Sequence, residues 1–263
     1  MEIMPRYFLE VTYDGTPYRG WQRQPADPSV QETVELALRK ALRLPALHVV
    51  GCGRTDTGVH ATEYYLHFEA PTDRIINERF AHRISSMLPE SIAVRRMIIV
   101  PDDAHARFSA TERGYKYLIN RRKDPFLANR SYMLFPALDI EAMNKACSYL
   151  IGKQDFSSFC KAGADNKTMI CDVREAIWKE TKEGYVFRIK ADRFLRNMVR
   201  ACVGTCIRIG KGEATADSMK AVLAAMDRSA AGKSVPARGL YLEHVLYPFI
   251  IPEDPNLQVD FNR

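Results

Sequence analysis

The sequence predicts an α+β fold of two related halves, and three observations carry this. Residues 6–13 alternate with period two, Tyr7, Leu9, Val11 and Tyr13 against Phe8, Glu10 and Thr12, as strand residues do. From there to residue 100 the patterning reads strand, helix, strand, strand, helix, strand, the order of a ferredoxin-like split βαβ unit. The same order returns between residues 114 and 247, with no repeat visible in the residues themselves. The expected architecture is two ferredoxin-like halves, 1–106 and 107–263. Their antiparallel sheets join, the helices pack on one side, and a cleft lies between the halves.

After the first strand comes a loop rich in turn formers and large polar groups, Asp14 to Gln24, holding Arg19, Trp21 and Arg23. It is either a plain connection or a grip for a phosphate backbone. Ser29 and Glu32 have the spacing of a capping box, which opens a helix with Val30, Val34, Ala37, Leu38, Ala41 and Leu42 on one face. Strands are expected at 46–51 and 63–69, a helix from 76 to 87 ended by Pro89, and a strand over 92–100. In the second half, strands are expected at 114–119, 171–180, 184–192 and 241–247. Helices are expected from Asp139, over 195–209 and over 216–226.

Composition bounds the function. With 46% hydrophobic and 27% charged residues among 263, the chain can bury a core. No run approaches the roughly 18 apolar residues of a membrane span, and Met1 to Arg6 hold no signal-peptide core. The expected location is the cytoplasm. The six cysteines form no CxxC pair, so reduced, buried thiols are expected. The net charge of +6 gains meaning from two clusters. Arg113, Lys116, Arg121, Arg122, Lys123 and Arg130 form one, and Lys190, Arg193, Arg196, Arg200, Arg208 and Lys211 the other. Tyr115, Tyr117, Tyr132 and Phe194 lie among them, as in nucleic-acid-binding surfaces.

Chemistry concentrates at Gly51-Cys52-Gly53-Arg54-Thr55-Asp56-Thr57-Gly58-Val59-His60. Three glycines in eight residues fold a backbone tightly, and strand-like runs flank the loop. Asp56 is its one carboxylate and could act as nucleophile, general base or metal ligand. A hairpin turn with a solvated aspartate is the competing reading. Dinucleotide and phosphate loops open a helix, whereas this loop precedes a strand and itself holds no Gly-Lys-Ser/Thr. The six histidines show no HExxH spacing, so metal catalysis is not expected. Arg193, Arg196 and Arg200 stand three and four apart. On a helix they would share an edge, either supplying a cation to Asp56 or simply solvated.

These residues carry a resemblance. Gly53 to Ala61 resembles the signature of the TruA-type tRNA pseudouridine synthases. Other segments match in order: Tyr13-Asp14-Gly15 with Tyr18 to Gln24, Ser29 to Glu32, Phe108 to Thr111 leading to Tyr115-Lys116-Tyr117, Phe194 to Arg200, and Gly239 to Leu242. The resemblance covers nearly the whole chain. Thr57, Tyr64 and Gln154 depart from the commoner alanine, glutamine and histidine.

The resemblance implies an enzyme that detaches uracil from C1′ of a uridine, rotates it and rejoins it through C5, with no cofactor and no metal. Asp56 matches the catalytic aspartate, which either attacks C1′ or removes a sugar proton. Tyr115 matches the tyrosine that packs on the flipped base, and Arg200 the basic partner of the aspartate. Arg54 matches an arginine that moves the target nucleotide into place. Arg19 and Arg23 are further candidates for binding substrate. The implied partner is the tRNA anticodon stem-loop at positions 38 to 40, and the implied assembly is a homodimer sharing one tRNA. Two other classes stand beside this one. A noncatalytic RNA-binding protein would lack the aspartate. A hydrolase using Asp56 as a base would call for a second carboxylate or a metal cluster.

Overall fold

The computed structural model describes residues 4–71, 78–163 and 167–250. Among these are five α-helices and one mixed sheet of ten strands. Strand β1 runs Arg6–Tyr13, and alternation alone understates its burial. Tyr7, Phe8 and Leu9 are all buried, because both faces of the sheet are covered there. Helix α1 spans Val30–Leu42 with Ser29 as its cap, the hydroxyl accepting from Glu32 N at 3.2 Å. The reciprocal half of the capping box is replaced by an ion pair from Glu32 to Arg23 at 3.3 Å.

The strand expected over 46–51 shrinks to β2, Val50–Gly51. The cause is competition for its backbone. Val49 N donates to the buried carboxylate of Glu35 at 3.1 Å, and Val49 O accepts from Gln31 Nε2 at 3.0 Å. Strand β3 (His60–Glu69) begins directly after the glycine loop. Helix α2 (Glu78–Met87) and strand β4 (Ile92–Val100) complete the first half; the expected helix start at 76 lies outside the described residues.

The second half comprises β5 (Glu112–Asn120), β6 (Tyr132–Met133), α3 (Ile140–Ser148), β7 (Gly152–Asp155), β8 (Ile170–Glu180), β9 (Gly184–Ala191), α4 (Met198–Gly210), α5 (Ser218–Ala225) and β10 (Leu240–Leu246). Short β6 and β7 were not expected from the pattern. Helix α4 starts later than its apolar spacing suggests, because Asn197 sits at φ +66, a left-handed position that breaks the helical path. Arg193 and Arg196 therefore precede the helix, and the edge of three arginines does not form.

The strand order is β4-β1-β3-β10-β5-β9-β8-β7, with β2 beside β3 and β6 beside β5. Pairings within each half are antiparallel, apart from β5 with β6. Strand β10 pairs with β3 in parallel, with Tyr241 opposite His60 and Leu242 opposite Ala61. Strand β10 returns from the end of the chain to close on β3, which makes the sheet mixed. Two apolar clusters flank this join. One gathers residues 7–106 with Leu242, Val245, Tyr247 and Ile250; the other gathers residues 117–240 with Val59. Tyr115 packs against both. All six cysteines are buried, and none forms a disulfide with a described residue.

Candidate active site

The loop between β2 and β3 is held from below by rings. Trp21 stacks on Tyr64 with centroids 4.2 Å apart, Tyr13 meets Tyr64 edge-on, and the Tyr64 hydroxyl donates to Gly53 O. Tyr64 is thus the floor of the loop. Thr55 points inward, its Oγ1 2.9 Å from the Tyr13 hydroxyl. Its carbonyl accepts from Trp21 N at 3.2 Å. The loop of residues 14–28 lies so close that a Cβ on Gly20, at φ +97, would stand 2.4 Å from Thr55 O. Val59 N donates to Asp56 O at 3.1 Å, and Gly58 at φ +74 completes the turn. Asp56 therefore has a fixed backbone while its side chain stays 34% exposed.

Its partner comes from the other half. Arg200 Nη1 lies 3.2 Å from Asp56 Oδ2, while Arg200 Nε donates to Val235 O at 2.7 Å. Val235 N returns a hydrogen bond to Arg200 O at 3.3 Å. Glycine makes this clamp possible. A Cβ on Gly204 of α4 would stand 1.9 Å from Lys233 O, so the segment 232–236 can lie directly on the helix. A Gly-Lys-Ser triplet does occur here, at Gly232-Lys233-Ser234. It is no phosphate loop: Asp227 stands where the motif needs its first glycine, and Val235-Pro236 follow instead of a helix.

Tyr115 sits on β5, opposite Leu242 of β10 and Ile189 of β9. Its ring meets Phe194 edge-on at 5.1 Å. Burial first, then the nearby Cys52 and Asp56, raise its pKa, so the phenol keeps its proton. Burial likewise pushes the Cys52 thiol up to about 11, which removes it as a nucleophile at neutral pH. Arg113, outside the predicted set, binds the site together. Its guanidinium donates to Cys52 O at 3.0 Å, to Asp192 O at 3.0 Å and to Arg107 O. The sequence marked it only as one member of a basic cluster, because a cation wrapped by carbonyls leaves no pattern of its own.

His60, which ends the motif, is buried and joins four segments. Its Nδ1 accepts from Gly15 N at 3.1 Å, and its Nε2 faces Asn129 O at 3.1 Å and Arg238 O at 3.2 Å. Burial lowers its pKa against the pull of Asp14, consistent with a neutral ring protonated at Nε2.

The other candidates are placed differently. Arg54 is exposed at the rim and makes no hydrogen bond or ion pair with a described residue. Arg19 pairs with Asp27 at 3.2 Å and Arg23 with Glu32 at 3.3 Å, so neither reaches Asp56. The basic clusters are partly neutralised: Lys116 and Arg188 share Glu243, Lys190 meets Glu175, and Arg130 meets Asp14. Among the described residues no group of three or more His, Cys, Asp or Glu could hold a metal ion. No described helix is long and apolar enough to cross a membrane.

A family model described as tRNA pseudouridine synthase matches residues 146–248. A protein of Parabacteroides distasonis named tRNA pseudouridine synthase A is 45% identical over 247 residues, 93% of this chain and 97% of that one. Its namesake in Porphyromonas gingivalis is 45% identical, over 93% of this chain and 98% of that one. The namesake in Bacillus subtilis is 39% identical, over 90% and 97%.

Proposed function

The chain belongs to the tRNA pseudouridine synthase A family, and we propose from this that it isomerises uridine to pseudouridine at positions 38 to 40 of the tRNA anticodon stem-loop. The observation that carries the site assignment is the contact of Arg200 with Asp56 across the two halves. Arg200 engages Oδ2 alone, and Oδ1 accepts no hydrogen bond from a described residue, so one carboxylate oxygen stays open to substrate.

In the proposed reaction a uridine leaves its stack and its base lies on Tyr115, with Arg54 guiding the nucleotide from the rim. The N1–C1′ bond breaks with Asp56 acting at the sugar, as nucleophile at C1′ or as base on the ring. Arg200 holds the carboxylate aimed. The uracil turns, C5 bonds to C1′, the C5 hydrogen leaves to solvent and N1 takes a proton. Product and substrate have the same composition, so no redox partner is required. Arg19 and Arg23, on the loop that abuts Thr55, would exchange their acidic partners for phosphates.

The finer architecture belongs to the same reading. Orders β4-β1-β3-β2 and β10-β5-β9-β8 support two ferredoxin-like halves, divided near residue 106, with the RNA in the cleft between them. A cytoplasmic homodimer sharing one tRNA is the proposed working form. The test uses tRNA transcripts tritiated at C5 only in uridines 38 to 40, or only elsewhere. Release from the first set alone is expected, and release from the second alone would overturn the reading.

A further inference from the structure

Phe108 is 75% exposed, yet it is not a loose side chain. Its ring caps a column that rises from the core. Phe8, fully buried, stacks on His67 at 5.9 Å; His67 meets His105 at 4.7 Å; His105 meets Phe108 at 4.4 Å. The turn beneath is locked by its own hydrogen bonds. His105 Nδ1 accepts from Arg107 N at 3.1 Å and Phe108 N at 3.3 Å. Ser109 Oγ accepts from His105 N at 2.9 Å, and Ala106 N donates to His67 Nδ1 at 3.0 Å. A chain that spends this much order to hold an apolar ring in water forgoes the gain of burying it.

The position of the ring matters as much as its rigidity. Arg113 Nη2 donates both to Arg107 O and to Cys52 O, so the Phe108 turn is pinned to the root of the Asp56 loop. Exposed Arg54 lies two residues beyond Cys52. Arg107, also exposed, has its guanidinium carbon 5.5 Å from the Phe108 ring centroid. A single flat ring beside the guanidinium of Arg107 suits a base and its phosphate; a protein partner would call for a broader apolar patch.

We propose that Phe108 is a stacking platform for an unpaired nucleobase beside the target uridine, with Arg107 meeting the phosphate of that nucleotide. This rests on the reading of the chain as an RNA-modifying enzyme. It adds a contact at the rim that holds the neighbour of the flipped nucleotide while the target enters the site.

The test is binding of a fluorescent anticodon-arm RNA hairpin, read by anisotropy in an Asp56→Asn background so that the RNA is not converted. Phe108→Leu keeps bulk and apolarity but loses the flat ring, and should raise Kd about tenfold; Phe108→Tyr should restore it. The melting temperature should stay at that of the parent, because the ring is outside the core. If the parent binds and Phe108→Leu binds as tightly, the platform is overturned while the enzymatic reading stands. A parent that binds no hairpin overturns both.

Discussion

Arg200 and Asp56 are 144 residues apart in the chain and 3.2 Å apart in the fold, one on α4 and the other on the loop before β3. Both side chains are part-exposed, 21% and 34%, so as a stabilising ion pair the contact contributes only about 0.2–1 kcal/mol. Its consequence is orientation. Arg200→Ala should lower kcat about 100-fold, the scale of a misplaced reacting group, while tRNA affinity falls less than about fivefold. Single-turnover kinetics beside filter binding separate the two. Equal kcat for variant and native protein at saturating tRNA would refute the assignment.

Tyr115 meets the site with a ring whose phenol stays protonated, because burial holds its pKa above the ordinary value. A stacking role needs the ring and not the hydroxyl. Tyr115→Phe should keep activity within about threefold of native, whereas Tyr115→Ala should lose about 10- to 100-fold in kcat/KM. Equal losses in the two variants would show that the hydroxyl carries the function.

Gly20 faces the backbone of the catalytic loop with no room for a side chain. Gly20→Ala must place a methyl group against Thr55 O at a backbone angle that L-residues rarely adopt. It should cost about 1–3 kcal/mol of stability and lower kcat as Asp56 shifts. Thermal melting and steady-state kinetics check the two effects together.

Glu63 supplies a pH dependence. Burial pushes its carboxyl from the ordinary 4.5 up to about 7, against the hydrogen bond from Val245 N at 2.8 Å. The folded protein then holds this proton more tightly than the unfolded chain. The linked stabilisation is full below about pH 4.5 and is lost as pH rises toward 7. Discounted for its partial exposure, it is on the order of 1–3 kcal/mol. Glu63→Gln should flatten this slope and raise the melting temperature at pH 8 but not at pH 5. A native-like slope in the variant would refute the attribution.

Much of the fold was legible in sequence because local signals were strong. The paired strands 171–180 and 184–192, the cap Ser29, the helix start at Asp139 and the run Arg6–Tyr13 each recur in the structure. What escaped depended on distant partners. Strand β2 lost residues 46–49 to side chains of α1, and α4 started late because Asn197 turned left-handed. The parallel join of β10 to β3 cannot be read from either strand alone. At the site, the glycine loop announced Asp56, but spacing left its partner open. The proposed arginine edge dissolved, and Arg200 alone reached the carboxylate. Gly204 and Val235 were invisible, and Arg113 showed only as one of a basic cluster, because their roles are contacts with backbone, which impose no residue pattern of their own.

The most direct test of Asp56 is tritium release from tRNA labelled at uridine C5, measured for native protein and for Asp56→Asn. The amide keeps the shape of the carboxylate but removes its charge. Native protein should release the label, and the folded, tRNA-binding variant should release none above background. Release by Asp56→Asn at the native rate, or an intact label with folded native enzyme, would contradict the assignment.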